Sequence, residues 1–402
     1  MSDTIPVTVL SGALGAGKTT TLNHVLTEDH GHEVAVLVND MGEVNVDVEH
    51  VERQSELSQA NEEIIEMSNG CICCRLRGDM LDAVGALVEN REFDYLLVES
   101  SGISEPIPVA QTFALGFEDS EYDPTDDYHL DTMVSVVDAH AMFEGFDSGT
   151  ALTSDEAAGG TDRIPEEVLL DQIEFCDVLL LNKCDLVPDS ELDEIEAVLK
   201  TLQPRAELVR TEFGRVEPDE ILDTGRFDFE EAQNSAGWKH ELQDGHHHDA
   251  ATAEHGVESF VFRADRPFHP ERFANLLRNL PSAIIRAKGF FWSAGREDVA
   301  MGLDKAGQSV RAGPQGQWIT TLPEQQRQRY FQAMPGLEDD WDDQWGDRSV
   351  ELVFIGRDFE ADEMKAWLED CLLSDTEMDE DWGTYPDPFG VDEQRELALA
   401  DD

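Results

Sequence analysis

The sequence predicts an α/β fold with a mainly parallel sheet, followed by a smaller α+β domain. Two patterns carry this prediction. Short apolar runs without polar alternation are separated by helical patterns, which is typical of strands buried on both faces of a parallel sheet. The first run leads directly into glycines and then into a helical pattern, so that strand, loop and helix follow one another. The predicted strands are 5–10, 34–38, 95–98, 133–137 and 178–181, and the predicted helices between them include 80–89 and 191–202.

The 402 residues divide into four predicted parts: an α/β domain over 1–229, a histidine-containing linker over 230–256, an α+β domain over 257–373 and an acidic tail over 374–402. Polar stretches in the first domain predict surface loops at 118–131 and 145–163. The tail lacks apolar periodicity and is predicted to be loosely held. The predicted elements of the smaller domain are strands 258–262, 284–292 and 350–355 and helices 270–280 and 361–373.

The charge of the chain is strongly unbalanced, because 28 basic and 88 acidic residues give a formal net charge of −60. Such a surface repels phosphate backbones and anionic lipid, so no nucleic-acid or membrane partner is expected. We interpret the acidity as a halophilic adaptation, since the Debye length falls to about 3 Å at 1 M salt; an acidic binding device is the alternative. No leader pattern and no window near about 18 apolar residues occurs, which predicts a cytoplasmic protein.

A phosphate-binding loop follows the first predicted strand. Residues 12–19 match the pattern G-x-x-x-x-G-K-[ST] without a mismatch, which predicts a P-loop NTPase. Backbone N–H groups and the helix N-terminus would surround phosphate oxygens, Lys18 would reach the β and γ phosphates as a catalytic group, and Thr19 would bind Mg²⁺. A glycine-rich turn before a core helix is the alternative. The predicted nucleotide-binding residues here are Gly12, Gly15, Ala16, Gly17, Lys18, Thr19 and Thr20.

A second motif selects the base. Asn182, Lys183 and Asp185 come directly after the apolar run 178–181, at the sheet edge where open α/β folds bind nucleotides. The carboxylate of Asp185 would accept two hydrogen bonds from guanine that adenine does not offer, so the motif predicts GTP. The alternative is that Asp185 only caps a helix.

A carboxylate follows the strand predicted over 95–98. Glu99 at that strand end is predicted to hold Mg²⁺ through water and to act in catalysis, and Gly102 is predicted to present its N–H to the γ-phosphate. A solvated Glu99 is the alternative.

Three of the six cysteines lie within four positions, at Cys71, Cys73 and Cys74. Cysteines this close together do not pair easily, so the cluster predicts a site for a soft or borderline metal ion such as Zn²⁺ or Co²⁺. A redox pair and buried structural thiols are the alternatives. The other three cysteines stand alone on apolar faces and are predicted to be small core residues: Cys176, Cys184 and Cys371.

These motifs together resemble the CobW-type family of P-loop GTPases, which are metal-trafficking proteins related to the GTPases of urease and hydrogenase maturation. The resemblance rests on residues 12–20, 69–74, 99–106 and 171–177 and the following Asn182. Residues 286–289 and 351–356 resemble the C-terminal domain of that family. The resemblance implies GTP hydrolysis coupled to binding of zinc, cobalt or a similar ion at the Cys-x-Cys-Cys motif.

The resemblance also implies roles for two carboxylates in the segment Val-Asn-Asp-Met-Gly-Glu. Asp40, where the family usually has Glu, would act in catalysis, and Glu43 would be a metal ligand. The motif residues that match the family and take its roles are Lys18, Thr19, Cys71, Cys73, Cys74, Glu99, Asn182 and Asp185.

The linker carries five of the 12 histidines of the chain. Neutral imidazoles bind Zn²⁺ and Co²⁺, so His246, His247 and His248 are predicted to capture metal weakly. The alternative is a solvated linker without a role.

The function predicted from these residues is a GTP-hydrolysing metallochaperone that delivers zinc or cobalt to a client metalloprotein. Its intrinsic turnover should be slow because no arginine finger is identifiable. A nucleotide-gated metal buffer without a client is the alternative, and a small-molecule kinase is disfavoured by Asn182 and Asp185. The chain is expected to be a monomer or a homodimer.

Overall fold

The computed structural model of the chain describes residues 4–38, 64–66, 75–89, 93–116, 122–148, 165–244, 256–333, 337, 341–389 and 395–396. The chain forms two compact units, Met1–Gly237 and Trp238–Asp402. Each unit has its own sheet and its own hydrophobic core.

The first unit contains a seven-stranded sheet in the order β3-β2-β4-β1-β5-β6-β7. Every described pairing in it is parallel, so the predicted parallel sheet is confirmed. Its strands are β1 (Ile5–Gly12), β2 (Val34–Val38), β3 (Ile64–Glu66), β4 (Tyr95–Glu99), β5 (Tyr128–Asp138), β6 (Val178–Asn182) and β7 (Glu207–Arg210). Its helices are α1 (Lys18–Thr27), α2 (Arg75–Glu89), α3 (Pro106–Ala114), α4 (Ala139–Ser148), α5 (Pro165–Glu174), α6 (Asp189–Leu202) and α7 (Phe229–Asn234).

The strand β1 shows why the apolar runs lack alternation. Val9 lies in one core cluster together with Phe113, whereas the next residue, Leu10, lies in another together with Leu22. Consecutive residues of a strand point to opposite faces, and here both faces are covered. The shorter strands β2, β4 and β6 are therefore apolar at nearly every position.

The polar stretch 118–131, predicted to be a surface loop, is strand from Tyr128 onward, so that part of the prediction is wrong. The reason is that the carboxylate of Asp131, in this stretch, accepts hydrogen bonds from groups inside the fold. Asp131 is 5% exposed and accepts hydrogen bonds from the Tyr95 hydroxyl at 2.9 Å and from the backbone N–H groups of Thr224 and Gly225 at 3.0 and 2.9 Å. A fourth hydrogen bond comes from the Thr132 hydroxyl at 2.7 Å. Sequence alone does not distinguish such a buried acid from a surface residue, because most of its donors come from distant segments.

The second unit contains a six-stranded sheet in the order β13-β11-β10-β9-β12-β8. Its described pairings are antiparallel, in agreement with the α+β class. Its strands are β8 (Val257–Ala264), β9 (Ile284–Phe291), β10 (Val299–Ala306), β11 (Ser309–Gln317), β12 (Val350–Arg357) and β13 (Arg395–Glu396). Its helices are α8 (Gly237–Asp244), which begins at the boundary between the units, α9 (Pro270–Arg278), α10 (Glu324–Ala333), α11 (Ala361–Cys371) and α12 (Asp375–Met378).

The hairpin of β10 and β11 was not among the predicted elements. Ala306 pairs with Ser309 across a two-residue turn in which Gly307 has a φ of 54°. Lys305 is buried, and its ammonium donates to the carbonyl of Gly307. A buried lysine and a buried serine interrupt the apolar pattern on which strand prediction depends.

The stretch 230–256, predicted to be a linker, is mostly helical in the part that the structure describes. The helix α7 is capped by Asp228, whose carboxylate accepts the N–H of Glu231 at 2.8 Å. Ser235 is 2% exposed and accepts a hydrogen bond from Gln203 at 2.9 Å. The helix α8 follows, and residues 245–255 lie outside the described part. Local caps and polar contacts, rather than apolar periodicity, order this stretch.

The first part of the acidic tail, predicted to be loosely held, is packed into the core of the second unit. Trp382 and Phe389 are 5% and 0% exposed and belong to that core. Ser374 and Glu377 form a capping box at the start of α12, and Arg272 donates to both carboxylate oxygens of Glu377 at 2.9 Å. Two buried aromatic residues give no hydrophobic periodicity in the sequence. Together with one bidentate ion pair, they nevertheless hold the segment against the second unit.

The Glu377 carboxylate should make this anchor dependent on pH. Hydrogen bonds from Arg272, and then from the backbone N–H of Ser374, lower the pKa of Glu377 from 4.5 to about 2. Because the folded pKa is depressed, the stabilisation is present above about pH 4.5 and is lost as the pH falls towards 2.

We therefore expect Glu377→Gln to lower the free energy of unfolding by about 1 kcal/mol at pH 7, since solvent screens the pair. The difference from the unaltered chain should narrow between pH 4.5 and 2. Chemical unfolding at several pH values measures it, with Asp379→Asn on the same segment as the control. A difference independent of pH would show that the ion pair is not the anchor.

Candidate functional site

The candidate site lies at the carboxyl edge of the parallel sheet, where β1 leads through a glycine-rich loop into α1. A Cβ on Gly12 would lie 2.3 Å from the carbonyl oxygen of Val136, and a Cβ on Gly17 would lie 2.3 Å from Nδ2 of Asn182. Both glycines also have positive φ, of 139° and 111°. The loop therefore needs glycine at these positions for close packing against β5 and β6.

Lys18 begins α1 and is 7% exposed. Its ammonium donates to the carbonyl oxygens of Gly12 at 2.9 Å and Ala13 at 3.1 Å. A cation is thus held inside a loop whose following helix directs its N-terminal N–H groups to the same place. Positive charge and unpaired N–H groups at a helix start are the elements of an anion site.

Thr19 and Glu99 meet across the site. The Thr19 hydroxyl donates to Oε1 of Glu99 at 2.8 Å, and Glu99, at the end of β4, is 6% exposed. The next residue, Ser100, donates its N–H to Leu10 at 2.9 Å, which fixes the end of β4 against β1. A Cβ on Gly102 would lie 2.6 Å from the N of Leu14, so this segment packs directly on the loop.

Asn182 is the centre of a hydrogen-bond network that joins three segments. Its Nδ2 donates to the carbonyl of Ala16 at 2.9 Å, and its Oδ1 accepts from the Thr211 hydroxyl at 3.1 Å and the Gly214 N–H at 3.0 Å. The side chain is 2% exposed. Asn182 thereby holds the phosphate loop and the segment after β7 in fixed positions.

Lys183 and Asp185 extend from this network. Lys183 has a φ of 63°, and its ammonium lies 2.5 Å from Oδ2 of Asp138 at the end of β5. The other oxygen of Asp138 accepts the N–H groups of His140 and Ala141 at 3.0 and 3.1 Å, which caps α4. Asp185 is exposed, so its carboxylate is available to a ligand.

Sequence reasoning missed Asp138, Thr211 and Gly214, which position the predicted residues. A signal was present for Asp138, which comes directly after the predicted strand 133–137, at the sheet edge where polar residues collect. Thr211 and Gly214 gave no such signal. The strand β7 was not predicted, because its four residues, Glu207–Arg210, combine two apolar and two charged side chains.

Several predicted site residues lie outside the described residues. These are Asp40, Glu43, Cys71, Cys73, Cys74, His246, His247 and His248. Among the residues that the structure describes, no group of three or more His, Cys, Asp or Glu side chains is placed to hold a metal ion.

The described cysteines are poor metal ligands. Cys176 and Cys371 are buried, as predicted, whereas Cys184 is half-buried. Burial raises the pKa of the Cys176 and Cys184 thiols, and it raises that of Cys371 to about 11. These groups are therefore protonated thiols at neutral pH, and metal binding needs thiolates.

Comparison with known families decides the relationship of this chain. The family described as "CobW/HypB/UreG, nucleotide-binding domain" matches residues 6–210. The chain belongs to this family. The description "Cobalamin synthesis protein cobW C-terminal domain" matches residues 257–372, which cover most of the second unit.

Two relatives found by sequence agree with the CobW/HypB/UreG assignment. The zinc-regulated GTPase metalloprotein activator 1 of Dictyostelium discoideum is 39% identical over 408 residues, which cover 98% of this chain and 85% of that protein. The zinc chaperone YjiA of Escherichia coli is 28% identical over 373 residues, covering 90% and 97% of the two chains. The crystal structure of zinc-bound YjiA GTPase has a TM-score of 0.40 and 22% identity, covering 92% of this chain and 99% of that one.

The family and the named relatives establish that this chain is a GTPase. Among its described helices, none is long and apolar enough to cross a membrane.

Proposed function

We propose that this GTPase is a zinc metallochaperone, which holds zinc at Cys71, Cys73 and Cys74 and transfers it to a client metalloprotein under control of the bound nucleotide. The observation that carries this proposal is the 39% identity, over 98% of the chain, to a relative named as a zinc-regulated GTPase metalloprotein activator. The names of the relatives favour zinc over cobalt as the ion carried.

The nucleotide is assigned to the edge of the parallel sheet. The loop 12–20 surrounds the phosphates, with Lys18 against the β and γ groups and the N–H of Gly102 near the γ-phosphate. Guanine lies at Lys183 and Asp185, which Asn182 joins to the phosphate loop through Ala16 at 2.9 Å. Support for this placement comes from the network that connects the two motifs.

Thr19 and Glu99 allow a test of whether magnesium fits. A hydroxyl oxygen and a carboxylate oxygen lie 2.8 Å apart beside the phosphate loop, and Mg²⁺ prefers hard oxygen ligands. The residues therefore fit, with Thr19 as a direct ligand and Glu99 as a holder of its water. When bound, Mg²⁺ would neutralise charge on the phosphate oxygens.

Coupling between nucleotide and zinc is supported by strand register. Val38, at the end of β2, pairs with Glu99 on one side and with Glu66, at the end of β3, on the other. Asp40 and Glu43 follow Val38 by two and five residues, and only four residues separate Glu66 from Cys71. The segments that carry the proposed metal ligands are thus covalently attached beside the proposed magnesium ligand.

In the proposed cycle, GTP orders these segments and preorganises the thiolates, and hydrolysis removes that constraint. Glu43 or a water molecule completes the tetrahedral zinc site, and Asp40 acts as a catalytic carboxylate. His246, His247 and His248 capture zinc only weakly. Because the two sites share one two-state element, each ligand must strengthen the other by the same factor.

The expected location of the tight zinc site can be tested directly. Replacing Cys73 and Cys74 together with serine should remove it, because a neutral hydroxyl is a much poorer zinc ligand than a thiolate. GTP binding should be retained. The matched control is Cys371→Ser, which replaces a protonated, buried thiol. Zinc titration against a competing chelator measures the site, and a tight site that survives the double replacement would contradict the assignment.

A zinc buffer without a client is the second candidate, because it needs the same two sites. Phosphate release from GTP by the zinc-loaded protein is measured with and without a zinc-free candidate metalloprotein, and the zinc content of that metalloprotein is followed. A chaperone should hydrolyse GTP faster and lose zinc to the client when it is present, whereas an unchanged rate without zinc transfer favours the buffer.

A further inference from the structure

Phe213, in the segment after β7, has an unusual backbone for a large aromatic residue. Its φ is 55°, in the left-handed region that disfavours residues with a bulky side chain. Its side chain is 62% exposed, so the strain is not offset by burial in the core. A strained backbone that presents an exposed aromatic ring indicates a functional constraint.

The residues around Phe213 fix it beside the guanine segment. Thr211 accepts the N–H of Cys184 at 3.2 Å through its carbonyl and donates its hydroxyl to Asn182 at 3.1 Å. Gly214 donates its N–H to Asn182 at 3.0 Å, and a Cβ on Gly214 would lie 2.7 Å from the N of Thr21 on α1. The loop is therefore held at both ends against the segment 182–185 and the first turn of α1.

The strand order places Phe213 on a defined side of the same segment. In the order β5-β6-β7, the ends of β5 and β7 flank the end of β6. Asp138, which holds the ammonium of Lys183, comes from β5, and Phe213 comes from the β7 side. The segment 182–185 is thus flanked by Asp138, which fixes the Lys183 ammonium, on the β5 side and by the segment that carries the exposed Phe213 on the β7 side.

We propose that Phe213 is a base-stacking residue, whose ring packs on the purine of the bound guanine nucleotide. This inference rests on the proposed position of the base at Lys183 and Asp185. Every base has a π-face, so stacking adds affinity without selecting guanine, and the carboxylate of Asp185 supplies the selection. In this arrangement, the strained left-handed backbone conformation directs the ring towards the base and not towards the core.

Removal of the Phe213 ring should therefore weaken the binding of ligands that carry a base and should not affect a ligand that consists of phosphates alone. Phe213→Ala should weaken GDP and GTP binding by the same factor, about 5- to 150-fold, which is the range measured when an aromatic ring under a base is removed. Inhibition by inorganic tripolyphosphate should not change, because that probe has no base. Phe213→Tyr should retain the affinity of the unaltered chain.

The full chain in molar salt is titrated with each nucleotide, and Leu115→Ala is the matched control. Leu115 is another large apolar residue of the first unit, 60% exposed, and it belongs to neither the phosphate loop nor the segment 182–185. Phe213→Gly relieves the backbone strain while it removes the ring, so it should weaken GDP binding without lowering the melting temperature. This separates a lost stacking contact from a damaged fold.

A spectroscopic readout reports the contact itself. All seven tryptophans lie at position 238 or later, so Phe213→Trp places the first tryptophan in the first unit. Its fluorescence should be quenched by GDP but not by tripolyphosphate, and the unaltered chain supplies the background.

Unchanged GDP affinity in Phe213→Ala, or absence of quenching in Phe213→Trp, would overturn the inference and leave the ring as a surface for a protein partner. An equal loss for tripolyphosphate would also overturn it, as it would indicate distortion of the phosphate loop. Failure of the proposed base position is seen separately, as unaltered guanine selectivity in Asp185→Asn. None of these readouts depends on zinc.

Discussion

Replacement of Asp185 with asparagine is expected to exchange the nucleotide specificity of this GTPase, so that GTP binding is lost and xanthosine triphosphate is bound instead. Asp185 is exposed, and its carboxylate is the group proposed to accept the N1 hydrogen and the 2-amino hydrogen of guanine. Hydrogen bonds to a charged group contribute about 1.5 to 3 kcal/mol each, so losing two weakens GTP binding by about 10² to 10⁴-fold. Xanthine restores the match because its 2-oxo group accepts where guanine donates.

For the unaltered chain, GTP, xanthosine triphosphate and ATP compete against a fluorescently labelled guanine nucleotide. For the variant, each of the three nucleotides is titrated directly. Asp189→Asn, an exposed aspartate at the start of α6, is the matched control and should bind GTP normally. Equal binding of ATP and GTP by the unaltered chain would remove the basis for the assignment of Asp185.

Replacement of Lys18 with alanine is expected to reduce kcat for GTP hydrolysis by about 10² to 10³-fold. The carbonyls of Gly12 and Ala13 hold the Lys18 ammonium, which is the charge proposed to stand against the β and γ phosphates, where negative charge develops during transfer. Loss of one such preorganised group typically has an effect of this size. Phosphate release under saturating GTP measures it.

The assay of Lys18→Ala needs molar salt, because repulsion among the excess acidic residues at low salt can unfold the chain and mimic a catalytic defect. Lys200→Ala on α6 is the control, since the Lys200 side chain is 57% exposed and pairs with Glu196 on the same helix. A folded Lys18→Ala protein with full turnover would mean that the loop binds a ligand other than the phosphates of GTP.

The parts of the site that could be predicted from sequence are those in which the chemistry is contiguous. Residues 12–19 carry the loop, the lysine and the hydroxyl in one segment between a strand and a helix, so the pattern itself contains the geometry. Asn182 to Asp185 follow an apolar run that ends at the same edge. The parallel sheet was predictable because strands covered on both faces leave an unbroken apolar signal.

The parts that could not be predicted depend on contacts between distant segments. Asn182 becomes the centre of a hydrogen-bond network because Thr211 and Gly214, about thirty residues later in the sequence, contact it in the fold. Asp131 looked solvated, because the donors that satisfy it come from elsewhere in the fold. Trp382 and Phe389 are isolated buried aromatic residues in an acidic tail, and isolated apolar residues give no hydrophobic periodicity from which an element can be predicted.

Cys71, Cys73 and Cys74 lie outside the described residues, so the structure does not test them as metal ligands. Their role remains a prediction from the sequence and the family. What the structure adds is the register of Glu66, Val38 and Glu99, which brings the strand ends on either side of that motif to the proposed magnesium site.

The zinc affinity of the full chain in two nucleotide states tests the central claim most directly. Zinc is titrated in molar salt against a competing chelator, once with GDP and once with a non-hydrolysable GTP analogue, with the Cys73→Ser, Cys74→Ser double variant as the blank. The account predicts that the GTP analogue raises zinc affinity by about 5- to 150-fold, which corresponds to a coupling free energy of about 1 to 3 kcal/mol. Identical zinc affinity in the two states would contradict nucleotide control of the metal, even if both ligands bind tightly.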